Sequence, residues 1–339
     1  MNNRLAAIVL ILCSALTPSC RRSGGPGPVG PYLGQKPPGV KAEIFAPGII
    51  STGLHDDAGP AFAKDGSEVY FRISGRPHSI IGLIPCVDGI WGKPRIAPFS
   101  GQYSDGQFRF SQDGKRLYFE SDRPLDNTGP PKDTDVWFVD REEAGWGEPR
   151  NLGRPVNSEH DEYLGSVSKD GTVFFTVRKR DPDGRRGQSY TNYSCRFTEG
   201  GYLEPAKLEP PFNSDAFQLA PVFSPDETWA ILVIRGRSDG VGQEDLYAVF
   251  KMEDGSWTEP RNLGPDINSD RTDWFPSFSP DGKYLFFVSW RYTGETYSKN
   301  QRTFDEMMNL YASPIYGQGA DVYWVDAAAV EALRPGKDR

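Results

Sequence analysis

One phrase returns five times along this chain. "FAKDGSEVYF", "FSQDGKRLYF", "VSKDGTVFF", "FSPDETWAILV" and "FSPDGKYLFF" each set a tight polar turn between two apolar runs. In the Pro-Asp-Gly form, Pro presets φ and Gly accepts a positive φ, so the pair of runs closes as a hairpin. The turn aspartates are Asp65, Asp113, Asp170, Asp226 and Asp281, at spacings of 48, 57, 56 and 55 residues. A nearly fixed period of that length marks a repeat architecture. The chain must therefore stack five copies of one unit.

Each unit holds more than its hairpin. A third strand opens on a polar residue, as in "DVWFVD" from Asp135, "NYSCRF" from Asn192, "DLYAVF" from Asp245 and "DVYWVD" from Asp321. An aromatic-x-x-Pro follows in four units, at Trp91/Pro94, Trp146/Pro149, Tyr202/Pro205 and Trp257/Pro260. Then "NLG" and an Asn-Ser pair lead onward, as in "NLGRPVNS" and "NLGPDINS". Four short strands repeated around a ring describe a β-propeller blade. The expected fold is all-β, a five-bladed propeller of four-stranded blades over residues 40–335, with six blades as the alternative. The fifth unit lacks its own last strand, so "VKAEIFAPGIIST" (Val40 to Thr52) is expected to complete that blade and lock the ring. The tail after Asp326 reads as a short helix stopped by Pro335.

Composition narrows the function. Aromatic residues are 13%, with 37 Gly and 29 Pro, which favours short strands and turns over long helices. A net charge of -8 argues against nucleic acid, whose phosphates need a basic face. The start, "MNNRLAAIVLILCSALTPSC", has a positive Arg4, an apolar run Leu5 to Leu12 and a small residue before Cys20, the pattern of a secretory signal over residues 1–19. It resembles a bacterial lipoprotein signal, which implies a lipid on Cys20. Residues 20–39 are Gly/Pro-rich and expected to act as a tether. Simple secretion or a free periplasmic form is the alternative.

The "FSPDG…LFF" turn, the "D-[VL]-Y" strand and the "W-x-x-P-x-N-L-G" strand are similar to the repeats of TolB-type propeller proteins of the bacterial envelope. The resemblance covers about residues 40–335 and is closest to the lone-propeller lipoproteins. It implies a periplasm-facing, outer-membrane-anchored module that binds an envelope protein, peptidoglycan or another glycan. TolB itself has a further α/β domain and six blades, and neither is found here.

Chain direction puts three rings of residues on one face, where strand one of each blade begins. The first holds Asp57, Asp105, Glu162, Gln218 and Asp273. The second holds His55, Tyr103, His160, Ala216 and Arg271, and the third Arg76, Arg123, Arg180, Arg237 and Arg291. An arginine at the end of strand two is placed to neutralise a nearby acid, which favours loop-pinning over catalysis for these rings. Tyr163 and Trp274 follow Glu162 and Asp273, and aromatic groups beside charges are how binding hot spots are composed. The long loop Arg291 to Ala320 opens on the same face with four tyrosines. The candidate binding residues are thus His55, Asp57, Asp105, His160, Glu162, Tyr163, Arg271, Asp273, Trp274 and Arg291. The opposite face offers mainly the Asp-Gly turns.

No Gly-x-Ser-x-Gly, phosphate loop, Cys-x-x-Cys or calcium loop occurs, and His55 and His160 have no metal-ligand spacing. No cofactor, metal or catalytic residue is assigned. A carbohydrate-active lyase or hydrolase using the same face is the alternative function. Cys86 and Cys195 fall in blades one and three, too far apart for a bridge that needs Cα atoms within about 7 Å. If Cys20 carries lipid, Cys20→Ala moves the protein from the membrane fraction to the soluble periplasm; wild type that is already soluble with a free N-terminus ends the idea.

Overall fold

The structure, a computed structural model, describes residues 27–52, 58–75, 77–213, 217–291, 303–306 and 319–336. Its sheets form a five-bladed β-propeller, as the five turns require. Blade 1 runs Ala58–Phe62, Glu68–Ile73, Ile80–Val87 and an outer strand in two pieces, Ile90–Trp91 and Arg95–Ile96. Blade 2 runs Asp105–Phe110, Arg116–Ser121, Asp135–Glu142, Gly145–Trp146 and Arg150–Asn151. Blade 3 runs Asp161–Val167, Val173–Arg180, Arg186–Cys195 and Ala206–Lys207. Blade 4 starts with a broken inner strand, Phe217–Gln218 and Val222–Phe223, then Trp229–Arg235, Glu244–Phe250 and Arg261–Asn262. The proline of each aromatic-x-x-Pro lies before the last outer piece, where a residue without an N–H cannot interrupt the ladder.

Blade 5 holds Asp273–Phe278, Tyr284–Ser289, Asp321–Asp326 and, as its outer strand, Glu43–Ile44. Glu43 pairs with Trp324 and Ile44 with Tyr323, antiparallel. Phe45 N–H donates to Val322 O at 2.8 Å. Ser51 Oγ both donates to Val322 O and accepts from Val322 N–H. The N-terminal strand therefore closes the ring.

Period-2 alternation supplies the core. In blade 5, Phe286, Val288, Val322 and Trp324 pack toward blade 1, while Leu285, Phe287, Tyr323 and Val325 pack toward blade 4. Five apolar clusters fill the five gaps between neighbouring blades. Cys86 and Cys195 are both free and sit in different blades. Asp326 Oδ1 accepts the Ala328 N–H at the start of the short helix Ala328–Glu331, whose Val330 is buried.

The recurring polar letters hold loops. Ser111 Oγ donates to Asp113 Oδ1, which also accepts the Lys115 N–H, and the same geometry returns at Asp170, Asp226 and Asp281. The residue after the turn aspartate has positive φ at Gly66, Gly114, Gly171 and Gly282; blade 4 places Glu227 there instead. The Asn of the Asn-Ser pair clamps strand three. Asn157 accepts from Val136 N–H and donates to Val136 O, and Asn268 does the same at Leu246.

The expected tether does not hold for its second half. From Gly27 the chain is docked, with Trp91 N–H donating to Pro28 O and Trp91 Nε1 to Gly30 O at 2.7 Å. Leu33 is buried in the cluster between blades 5 and 1, and Tyr32 meets Phe62 and Tyr284 edge-on at 5.0 Å each. Gly/Pro-rich composition describes the backbone, but Tyr32 and Leu33 are enough to anchor it. Residues 1–26, including Cys20, lie outside the described residues. Leu33→Ala should lower the unfolding free energy by about 2–4 kcal/mol in urea titrations. Deleting residues 27–38 should cost more; unchanged midpoints in both would restore the tether.

Candidate functional site

The face where strand one begins is organised by arginine staples. In blade 2, Arg123 Nη2 pairs with Asp105 Oδ1 at 2.8 Å, its Nε donates to Ser121 Oγ, and it also holds Phe99 O. In blade 5, Arg291 Nη2 pairs with Asp273 Oδ1 at 3.0 Å, Nε donates to Ser289 Oγ, and Ile267 O takes the third bond. Both acids are fully buried, and each staple ties the chain arriving from the previous blade to the blade it enters. Burial raises the Asp105 pKa, and Arg123 and the serine hydroxyls oppose that rise. In blade 4 the ring residue is Gln218, which needs no cation, and Arg237 turns to Asp239.

Blade 3 departs from this plan. Arg180 pairs with Asp161 at 2.6 Å, not with Glu162, and Arg186 adds a second contact to Asp161 at 3.1 Å. Glu162 accepts from Ser158 Oγ, while its Oε2 is buried without a partner among the described residues. Burial pushes the Glu162 carboxyl up to about 8. Where blades 2 and 5 have the staple serine, two residues before the arginine, blade 3 has Arg178.

A cavity of about 340 Å³ opens on this face, toward the ring axis. One wall is aromatic. Trp274 stacks near Phe217 (centroids 6.3 Å, planes at 20°), Tyr190 meets Phe217 edge-on at 4.6 Å, and Trp274 meets Phe275 edge-on at 5.3 Å. Phe275 has φ of +51° inside the bulge between Trp274 and Ser277, and bulges commonly re-aim side chains at rims. Tyr163 and three cations, Arg72, Arg178 and Arg186, complete much of the lining. Arg178 lies 5.2 Å from the Tyr190 ring centroid and donates its Nε to Gly187 O. Trp274 Nε1 is buried with no hydrogen-bond partner among the described residues. Glu120 also lines the cavity; burial pushes its carboxyl up to about 7, against the pull of Arg72 and of the Leu164 N–H that it accepts at 2.7 Å. Gly106 is required beside it, because a Cβ there would lie 2.4 Å from Glu120 Oε2.

Below the cavity, Arg109 bridges the ring axis. From the inner strand of blade 2 it donates to Gly165 O of blade 3 at 2.8 Å and to Pro276 O of blade 5 at 2.9 Å. Burial lowers its pKa to about 10, so it stays cationic at neutral pH. Beyond it, on the turn face, a second cavity of about 210 Å³ is lined by Phe62, Phe110, Phe223 and Phe278. The turn face is therefore more than its Asp-Gly turns.

Of the expected binding residues, Trp274 and Tyr163 line the entrance cavity. Asp105, Asp273 and Arg291 are engaged in staples. His160 Nδ1 accepts from Arg180 N–H at 3.4 Å, and Arg271 N–H donates to Ser269 Oγ at 3.3 Å. His55, Asp57 and most of the long loop lie outside the described residues, among which no group of three or more metal-ligating side chains occurs. The sequence pattern misses Arg72, Glu120, Tyr190 and Phe217, and its one signal for the cations is the break from "ESDR" and "VSWR" to "VRKR".

No protein-family model matches the chain, and no curated protein is similar to it in sequence. Among solved structures it is similar to TolB from Acinetobacter baumannii, with 18% identity over 69% of this chain and 49% of that one and a TM-score of 0.44. A TolB-type protein of Agrobacterium tumefaciens gives 20% identity over 74% and 77%, also at 0.44. The catalytic domain of a GH62 α-L-arabinofuranosidase from Coprinopsis cinerea gives 10% over 85% and 97%, at 0.44. The chain spans about half the length of the Acinetobacter protein.

Glu162 makes a pH prediction. Its folded pKa is raised from 4.5 to about 8, so its contribution is complete below the unfolded value and is lost as pH rises toward 8. Between pH 5 and 8, Glu162→Gln should lose less stability than wild type in urea titrations. Parallel pH profiles would show that the carboxyl is not neutral in the fold.

Proposed function

We propose that this chain is a binding module of the bacterial envelope, periplasm-facing and held to the outer membrane by a lipid on Cys20. Its ligand or partner occupies the entrance cavity. The observation that carries this reading is the aromatic wall ending in Trp274, whose indole N–H is buried beside the cavity with no hydrogen-bond partner among the described residues. An unmade hydrogen bond costs about 1–3 kcal/mol, and a ligand oxygen would recover it. Asp105 and Asp273, next in the chain to the lining residues Gly106 and Trp274, are each fixed by a staple, and holding a site in place before binding lowers the ordering cost of association. The membrane is contacted through the anchor alone, and nucleic acid is not a partner of so acidic a chain.

A lyase or hydrolase acting on polysaccharide is the second reading, favoured by Glu120, a cavity carboxyl lifted toward neutral pH as a general acid requires. New reducing ends or unsaturated sugars that vanish in Glu120→Gln would support it. For the binding reading, Trp274→Ala should abolish retention of an envelope extract, with the fold intact by circular dichroism. Lys115→Ala, beside an exposed turn, should leave retention unchanged. A map that follows Lys115 and ignores Trp274 places binding on the other face.

A further inference from the structure

We propose that the entrance cavity takes an acidic saccharide, a sugar ring bearing a carboxylate. This names the ligand class of the binding module and rests on that reading. The aromatic wall suits the flat C–H face of a sugar, and the Trp274 Nε1 donor, buried and without a partner among the described residues, suits one of its hydroxyls. The cations supply the charge selectivity. Arg72, Arg178 and Arg186 all line a cavity in a protein whose net charge is -8, so the positive charge is local and not a general property of the surface. Arg186 is paired with Asp161, and Arg72 donates to Asp105 O and Ser79 Oγ. Arg178 is different. It stands at the staple-serine position, takes no part in a staple, and binds protein through Nε to Gly187 O. Its guanidinium also hydrogen-bonds the Tyr163 hydroxyl of the same lining, but it has no carboxylate partner among the described residues, and a planar guanidinium of that kind is suited to grip a carboxylate in bidentate fashion.

Of the acids that line the cavity, Glu120 has its carboxyl pushed up to about 7 by burial, which weakens its opposition to an anion, and Asp122 Oδ1 is turned to the Ser104 N–H that it accepts at 2.9 Å. At about 340 Å³ the cavity is at the lower end of ligand-sized sites, which run to about 1,000 Å³. One or two sugar units are the natural occupant. A uronate from a polysaccharide and the lactyl carboxylate of muramic acid share this chemistry.

Calorimetric titration of the full chain tests it with five probes: trigalacturonate, its methyl ester, the N-acetylglucosamine–N-acetylmuramic acid disaccharide, the lactyl amide of that disaccharide and hexaglutamate. At least one acidic sugar should bind. If that sugar is the uronate, its ester should bind at least about tenfold more weakly, the scale of one charge-assisted contact. If it is the disaccharide, the lactyl amide should show the same loss, which separates the two sources. Arg178→Gln should weaken the acid by a similar factor and leave the neutral form unchanged; should that variant misfold, the acid–neutral comparison on wild type still decides. Equal binding of acid and neutral forms overturns the proposal, as does silence from both acidic sugars or binding of hexaglutamate alone. In those cases retention of envelope extract that depends on Trp274 would still support the binding module, and its loss would remove both.

Discussion

A ring of blades is only as continuous as its seam. Here the seam is a two-residue pairing, Glu43 and Ile44 against Tyr323 and Trp324, and so short a ladder cannot hold by hydrogen bonds alone. Side chains on either side of it do the rest. Phe45 packs 5.0 Å from both Phe286 and Trp324, Ser51 returns to bond Val322, and Leu33 enters the same cluster from further upstream. All four inner-to-outer strands of blade 5 depend on the start of the chain, and blade 1 packs on blade 5 through that cluster. Until the N-terminal segment arrives, an edge strand and an apolar face are open together, the condition that favours aggregation.

Within the closed ring, repetition separates support from site. The Asp-Ser-Arg staple is nearly atom-for-atom the same in blades 2 and 5, and the Asn clamp is the same at Asn157 and Asn268. Such groups are explained by what they hold. The entrance cavity is built where the copies diverge. Arg178 replaces a staple serine, Asp161 takes the ion pair that Glu162 would have had, and Phe275 adopts a left-handed backbone in a bulge. Divergence from the repeat, more than membership in it, marks the residues that remain available for binding.

This also explains what the letters alone disclose. Blade number, turn geometry and the closing strand are legible because each rests on local rules, the Asp-Gly turn and period-2 alternation, repeated five times. Trp274 and Tyr163 are legible because chain direction assigns strand starts to one face. Glu120 and Arg72 are not, since they lie inside strands and act on the next blade: Glu120 accepts from Leu164 and Arg72 donates to Asp105. Arg109 looks like any strand residue in "DGQFRF", and only the closed ring brings the carbonyls of Gly165 and Pro276 within its reach. The docking of Tyr32 and Leu33 is hidden for the same reason, because flexible composition is local while part of what holds this segment lies far along the chain, as the 249-residue separation of Tyr32 and Asp281 illustrates.

Arg109 sets the topology of access. By bonding three inner strands across the axis it divides what would be a bore into two cups set back to back. A cup has one rim. Whatever enters must leave by the same path, so a long polymer cannot be threaded and processed along its length. Only a free terminus, a branch or a short fragment can be seated there, and the rest of a large molecule would stay outside, lying across the loops that ring the opening.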